Sequence, residues 1–306
     1  MDAASFCFDD LANWPETGGR LDPPVRLSVF GDPVAHSLSP HLHNPALAAS
    51  GIRAQYVRLL VRPGAFSAAL RRIHDLGFIG TNVTIPHKFS ALQAVDVVDA
   101  QARRLGAVNT VVFRDGRAFG SNSDGPGFVR SVREAFCAAV GDLRVLILGA
   151  GGGAGRAVAV QCALENCRHL TLVNRTPEKS AALAGEIAGF FPKNRLSVAD
   201  WSGEALRRAL PQVDLIINGT NLGMKPEDPP VLPQGCLEAR HLVHDMVYRP
   251  AVTPLVAMAR DAGASAVNGL PMLLHQGAVS FESWFSQPAP LEIMRQSLWA
   301  AAGVPP

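Results

Sequence analysis

A chain of 306 residues, 48% hydrophobic and 18% charged, is long enough for two cores and too apolar to be disordered. Its formal charge of +2 generates no field that would draw it to nucleic acid or an anionic membrane, and no uninterrupted apolar run is long enough to span a bilayer. Five scattered cysteines (Cys7, Cys137, Cys162, Cys167, Cys236) form no C-x-x-C pair, which points to a reducing, cytoplasmic setting and away from a metal site.

Residues 1–25 are a polar lead-in whose Asp2, Asp9 and Asp10, with no basic stretch, exclude a secretory signal; whether it docks or frays stays open. Arg26 to Phe30 reads as a strand, followed by a turn at Gly31-Asp32-Pro33. A helix from Pro40 to Ala49 ends at Gly51, Gln55 to Leu60 is a second strand, and Ala65 to Leu76 has helical spacing. Gly77 to Ile85 is a third strand running into Pro86; helices follow over Lys88 to Val95 and Val98 to Leu105. Val108 to Arg114 and Arg117 to Gly120 form a hairpin around Asp115-Gly116, and a long helix covers Gly125 to Val140. Strand and helix then alternate: Val145 to Leu148, Gly153 to Glu165, Leu170 to Val173, Pro177 to Ala188. Three more apolar strands, Leu196 to Val198, Leu215 to Asn218 and His241 to Asp245, complete a doubly wound α/β sheet. Thr253 to Ala262 is a helix, Ser265 to Val267 a short strand, and Gly269 to Phe285 and Leu291 to Ala301 are helical.

The stretch VLILGAGGGAGRAVA, Val145 to Ala159, reads as a buried strand turning through glycines into a helix. Gly149, Gly151 and Ala154 fit G-x-G-x-x-G/A: a turn, a close approach to a pyrophosphate, and close helix–strand packing. An ordinary tight turn would look similar, but the next strand separates the two readings. An NAD site ends that strand in an acid that accepts from the ribose 2′-hydroxyl. Here it ends in Asn174-Arg175-Thr176, and a guanidinium pairs with a 2′-phosphate that a carboxylate would repel. The pattern therefore favours NADP.

Four polar clusters lie outside that unit. Ser37 and Ser39 stand two residues apart between a strand and a helix, placed either to bind a carboxylate or polyol or to cap the turn. Asn82, Thr84 and Lys88 converge at a strand end, where a lysine opening a helix is disfavoured by the helix dipole and so reads as ligand-binding as well as solvated. Asn109 and Asp124 sit at opposite ends of the hairpin, with Asp124 also a possible N-cap. Tyr248 and Gln276 are the distributed fourth group, and the neighbouring His244 and His275 read as structural.

Taken in order, H-S-L-S-P (His36 to Pro40), N-V-T-x-P-x-K (Asn82 to Lys88), A-V-N-T (Ala107 to Thr110) and N-S-D-G (Asn122 to Gly125) resemble the shikimate dehydrogenase family. The Gly-rich loop with N-R-T, G-T-N-L-G-M (Gly219 to Met224), D-M-V-Y (Asp245 to Tyr248) and G-L-P-M-L-x-x-Q (Gly269 to Gln276) extend the match, which runs from about Phe30 to Phe285. The resemblance implies reversible oxidation of shikimate to 3-dehydroshikimate with NADP, in the pathway to aromatic amino acids. It implies that Ser37 and Ser39, helped by Tyr248, take the substrate carboxylate. Asn82, Thr84, Asn109 and Gln276 would hold ring hydroxyls, and Lys88 with Asp124 would form the catalytic pair. For the cofactor it implies Gly149, Ala150, Gly151, Gly152, Gly153, Ala154, Asn174, Arg175, Thr176, Thr220, Met246 and Gly269.

The implied architecture is a substrate domain over residues 26–123, completed by C-terminal helices over 268–306, and a nucleotide domain over 124–267, working as a monomer or homodimer on a small-molecule substrate. Departures from the family pattern are Ser123 in place of Thr, Pro271 in place of a common Gly, and the first 25 residues, which the shortest members lack. Two other readings stay open: a quinate/shikimate dehydrogenase of broader specificity, and a non-catalytic ligand sensor on the same fold. Arg175 argues against NAD use by the former, and retention of Lys88 and Asp124 argues against the latter.

Overall fold

The computed structural model describes residues 4–304 and resolves two units, one running to Ser123 and resuming at Gln276, the other Asp124–His275. In chain order the first unit carries β1 (Ser5–Cys7), β2 (Val25–Gly31), α1 (Ser39–Ala49), β3 (Gln55–Leu60), α2 (Phe66–Asp75), β4 (Gly80–Val83), α3 (Lys88–Ala94), β5 (Val97–Val98), α4 (Ala100–Leu105), β6 (Thr110–Arg114) and β7 (Arg117–Ser121). Its seven-stranded sheet has the order β1-β3-β2-β4-β6-β7-β5, parallel from β1 to β4 and antiparallel through the β6–β7 hairpin. Amphipathic spacing explains α2: Phe66, Ala69, Leu70 and Ile73 recur at i, i+3, i+4 and i+7, and all four are buried.

The lead-in is part of this unit. β1 pairs in parallel with β3, Ser5 opposite Arg58 and Cys7 opposite Leu60. Leu11 is fully buried, and Trp14 packs edge-on against Phe6 (5.2 Å) and tilted against Phe78 (5.5 Å). Gly18 lies so close to the Trp14 ring that any Cβ there would overlap it. Removing this ring empties a core site, so Trp14→Ala is expected to lower the unfolding free energy by about 3–5 kcal/mol, measurable by urea titration. A loss below about 1 kcal/mol would mean that the lead-in lies loosely on the surface.

Two further differences from the sequence reading have local causes. The third strand shortens to Gly80–Val83 because Gly77 turns at φ +75°. The long helix beginning at Asp124 stops at Phe136 because Cys137 adopts φ +52°, a conformation that no helix continues through.

The second unit carries α5 (Asp124–Phe136), β8 (Arg144–Leu148), α6 (Gly153–Leu164), β9 (His169–Val173), α7 (Pro177–Ile187), β10 (Leu196–Ala199), α8 (Gly203–Ala209), β11 (Leu215–Asn218), β12 (Leu242–Asp245), α9 (Pro254–Asp261) and β13 (Ser265–Val267). α10 (Leu270–Phe285) contains the return to the first unit, which α11 (Leu291–Ala302) completes. Its six strands are all parallel in the order β10-β9-β8-β11-β12-β13. Val145 to Leu148 and Leu215 to Ile217 have no exposed surface, as central parallel strands covered on both faces require. The order reverses direction beside β8, the topological switch at which ligands bind in such sheets.

Buried histidines tie acid stability to packing. His43, on α1, is stacked on Tyr56 (4.5 Å) and set against Trp284 (5.1 Å), and burial pulls its pKa down to about 3. In the second unit His244 falls to about 4 for the same reason. Ser131 Oγ donates to the Phe128 carbonyl, so it is His244 Nε2 that donates to Ser131 Oγ, at 3.0 Å. A base whose folded pKa is depressed is protonated more readily when unfolded, so its stabilising contribution is complete above pH 6.5 and is lost as pH falls. For His43 the loss amounts to about 2 kcal/mol between pH 6.5 and 5. Urea titrations at the two pH values check it, and His43→Leu should flatten that part of the pH dependence.

Candidate active site

In the first unit, four candidate side chains gather at the carboxyl ends of β2 and β4. Gly31 closes β2, and a Cβ there would lie 2.6 Å from Thr84 Cγ2, so the glycine lets the serine loop and the end of β4 approach. The loop is held from two sides: Asp32 N donates to the Ile85 carbonyl (3.0 Å), and buried Arg58 Nε donates to the Ser37 carbonyl (2.9 Å). Ser37 Oγ donates to Ser39 Oγ (3.2 Å), and Ser39, the first residue of α1, is buried. Thr84 N donates to the Phe30 carbonyl (2.8 Å), and the Thr84 carbonyl accepts from His87 N (2.9 Å). His87 Nε2 donates to the Val61 carbonyl (2.6 Å), and the ring stacks on Phe66. Lys88, half-buried, is thereby fixed as the first residue of α3 directly after this turn.

Asn82 is enclosed to a degree that its position on a strand did not announce. It is 6% exposed, with Oδ1 accepting from Tyr56 Oη (2.8 Å) and Nδ2 donating to the Asn109 carbonyl (3.1 Å), Thr110 Oγ1 (3.2 Å) and Ser280 Oγ (2.9 Å). Asn109 Oδ1 accepts from Ser123 N (2.7 Å), Ser123 Oγ (3.2 Å) and Thr110 Oγ1 (3.0 Å), which leaves its Nδ2 as a donor for a ligand. Ser123 Oγ also lies 3.4 Å from Gln276 Oε1. The first unit thus brings together Ser37, Ser39, Asn82, Thr84, Lys88, Asn109 and Gln276, while Asp124 opens the second unit and Tyr248 belongs to it.

The second unit gathers the Gly-rich residues at the carboxyl ends of its central strands. Gly149 turns at φ +79°, and any Cβ on it would strike Thr220 Cγ2. Gly152 is the N-cap of α6, so the free N–H groups of that helix start face the loop that Gly149–Gly153 forms. Close packing of α6 on the strand falls to Gly155 rather than Ala154: a Cβ on Gly155 would collide with the Gly149 carbonyl, whereas Ala154 already carries one. Asn174 Oδ1 accepts from Gly151 N (3.2 Å) and its Nδ2 donates to the Thr176 carbonyl (3.0 Å), so its amide buttresses the loop. Arg175 and Thr176 are exposed at the same strand end.

Sequence reasoning passed over two contributors. A Cβ on Gly151 would lie 2.6 Å from Lys179 Cβ, which places the stem of an exposed lysine beside the loop. A charged residue in a helix reads as solvated face, and only its proximity to Gly151 singles it out. The other is a buried network at the ends of β11 and β12. Asp245 Oδ1 accepts from Asn218 Nδ2 (2.9 Å) and Val247 N (3.0 Å), and Oδ2 accepts from Thr253 Oγ1 (2.6 Å). Asn218 Oδ1 in turn accepts from Thr220 Oγ1 (2.7 Å) and Thr220 N (3.1 Å). Burial pushes the Asp245 carboxyl upward despite these donors. The network ties the Thr220 loop to the Asp245–Tyr248 loop, where Met246 N donates to the Asn218 carbonyl (3.0 Å) and the Met246 carbonyl leaves no room for a side chain at Gly269. The residues present therefore fit a dinucleotide: a helix start, a glycine cradle, and Arg175 with Lys179 at a strand end that carries no acid.

Residues 29–111 match the family model described as shikimate dehydrogenase substrate binding domain, and residues 269–298 match that described as shikimate 5′-dehydrogenase C-terminal domain. A shikimate dehydrogenase (NADP(+)) of Symbiobacterium thermophilum is 43% identical over 277 residues, 90% of this chain and 94% of that protein. The shikimate 5-dehydrogenase of Thermus thermophilus, solved with NADP(H) and shikimate, is 34% identical with a TM-score of 0.80, covering 90% of this chain and 99% of that one. The quinate dehydrogenase of Corynebacterium glutamicum, solved with NAD, is 29% identical with a TM-score of 0.82, covering 90% and 99%.

Proposed function

The chain belongs to the shikimate dehydrogenase family, and on that footing we propose that it oxidises shikimate reversibly to 3-dehydroshikimate with NADP, in the route to aromatic amino acids. The observation that carries this reading is the meeting, on one unit, of paired serine hydroxyls, a lysine and two buried asparagines, while the other unit presents a glycine cradle beside Arg175.

In this reading Ser37 and Ser39 turn their hydroxyls to the substrate carboxylate, with Tyr248 assisting, and Asn82, Thr84, Asn109 and Gln276 hold the ring hydroxyls. Asn109 suits the task because its Oδ1 is already committed, so Nδ2 faces a ligand in one fixed orientation. Lys88 removes the proton of the reacting hydroxyl in the oxidative direction and returns it in the reductive one. Asp124 binds the same hydroxyl and holds the lysine amine. NADP, when bound, supplies the acceptor for the hydride. Gly149 to Ala154 hold its pyrophosphate, with Thr220, Met246 and Gly269 bordering the same loop cluster. Arg175 and Lys179 pair with the 2′-phosphate, and Asn174 and Thr176 hold that corner in shape.

The chain works in the cytoplasm as a monomer or homodimer, in keeping with cysteines that are all free among the described residues. Shikimate deuterated at the reacting carbon tests the chemistry. The label should move to the nicotinamide with none reaching solvent; label in water would overturn the reading.

A further inference from the structure

We propose that Ser280 is a positioning residue: it holds the Asn82 amide in the orientation that leaves its oxygen, and no N–H, for a ring hydroxyl of the substrate, an inference that rests on the reading of the site given above. Ser280 lies on α10 one turn beyond Gln276, and it is fully buried, with no surface to offer a ligand. Its Oγ meets Asn82 Nδ2 of β4 (2.9 Å), Thr110 Oγ1 of β6 (2.9 Å) and Ser123 Oγ, between β7 and α5 (3.1 Å). The Gln276 carbonyl, 3.0 Å away, is a ready acceptor for the Ser280 proton, so the oxygen is open to receive from Asn82.

Two main-chain groups decide which way the two asparagine amides face. The Asn109 carbonyl can only accept, so the Asn82 atom 3.1 Å from it is Nδ2. Ser123 N can only donate, so the Asn109 atom 2.7 Å from it is Oδ1. Both protons of Asn82 Nδ2 are then spent among Ser280 Oγ, Thr110 Oγ1 and the Asn109 carbonyl. Asn82 Oδ1 accepts from Tyr56 Oη (2.8 Å), and its second lone pair is the only capacity left. Asn109 is the reverse, with Oδ1 filled by Ser123 and Thr110 and Nδ2 left over. Asn82 thus offers a ligand an acceptor, and Asn109 offers it a donor.

A hydroxyl satisfies either residue, because it both donates and accepts, whereas a carbonyl satisfies only Asn109. The oxygen that reacts is a hydroxyl in shikimate and a carbonyl in 3-dehydroshikimate. It can keep a hydrogen bond to Asn109 on both sides of the reaction, and it cannot keep one to Asn82. Asn82 is therefore matched to a hydroxyl that the reaction leaves alone, and it sorts ligands by whether that position can donate. Without the Ser280 oxygen, Nδ2 loses the shortest of its three contacts, and the amide is held less firmly against turning an N–H toward the ligand.

The test is a cycle of four proteins, the unmodified chain, S280A, N82A and the double variant, each assayed for shikimate KM and kcat at saturating NADP. S280A alone should raise the shikimate KM about fivefold and leave kcat and the NADP KM within about twofold, because the bond it weakens is the same in ground and transition states. On the N82A background, S280A should change the shikimate KM by less than about twofold. The same loss on both backgrounds would mean that Ser280 only supports α10, and no loss on either would likewise overturn the proposal. Should N82A fail to fold, the unmodified chain and S280A are compared on shikimate analogues that carry hydrogen in place of one non-reacting ring hydroxyl. S280A should lose its effect on the analogue that lacks the hydroxyl read by Asn82; the same loss with every analogue would overturn the proposal. Absence of shikimate turnover by the unmodified chain would instead overturn the functional reading, and this inference with it.

Discussion

Replacing Lys88 by alanine is expected to lower kcat for shikimate oxidation by about a thousandfold and to leave the NADP KM within about threefold. The asymmetry comes from where the residue stands. Lys88 opens α3 in the first unit, directly after the turn that Thr84 and His87 fix, whereas the cradle for the nucleotide is built by the second unit. A group that moves a proton in the transition state affects turnover, and one that binds ground and transition states equally affects KM. Lys88→Met, which keeps the aliphatic stem but has no proton to exchange, should be as slow as the alanine variant. A methionine variant that recovered most of the rate would assign the lysine a packing role.

Replacing Arg175 by alanine should raise the NADP KM by about ten- to a hundredfold while moving the NAD KM by less than about threefold. The span corresponds to losing a charge-assisted hydrogen bond to a phosphate at an exposed position. Lys179→Ala should act in the same direction and less strongly, since an ammonium on a flexible stem meets a phosphate as a point charge without the planar fork of a guanidinium. Parallel initial-rate measurements with both cofactors at one ionic strength check the pair. Equal losses with NADP and NAD would mean that Arg175 shapes the loop and does not read the 2′-phosphate.

The sheet of the second unit was legible because its strands are short with apolar runs, most of them separated by segments of helical spacing. Leu215–Asn218 and Ser265–Val267 carry the expected bounds. β1 was not legible: three residues of mixed character become a strand only because β3, some fifty positions away, offers an edge. α8 was passed over as well, though its signal was present in Ser202, whose side chain accepts from Ala205 N. In the candidate site, the motif residues could be named from pattern, buried Ser39, Asn82 and Asn109 among them. The ones that set their geometry could not. Tyr56 and Arg58 sit in a stretch that reads simply as a buried strand, and Asn218 and Asp245 terminate strands whose apolar runs hide what their last side chains do. The hydrogen bond from the Tyr56 hydroxyl to Asn82 joins β3 to β4 across 26 positions of sequence. No spacing rule in one dimension records it.

The most direct measurement is the rate of nicotinamide reduction by the purified chain with shikimate or quinate crossed against NADP or NAD. Rapid turnover is expected for shikimate with NADP, and kcat/KM at least about tenfold lower for each other pair. Comparable rates with quinate or NAD would contradict the specificity assigned to Ser37, Ser39 and Arg175. Tight shikimate binding with no turnover under any pair would contradict the enzyme itself.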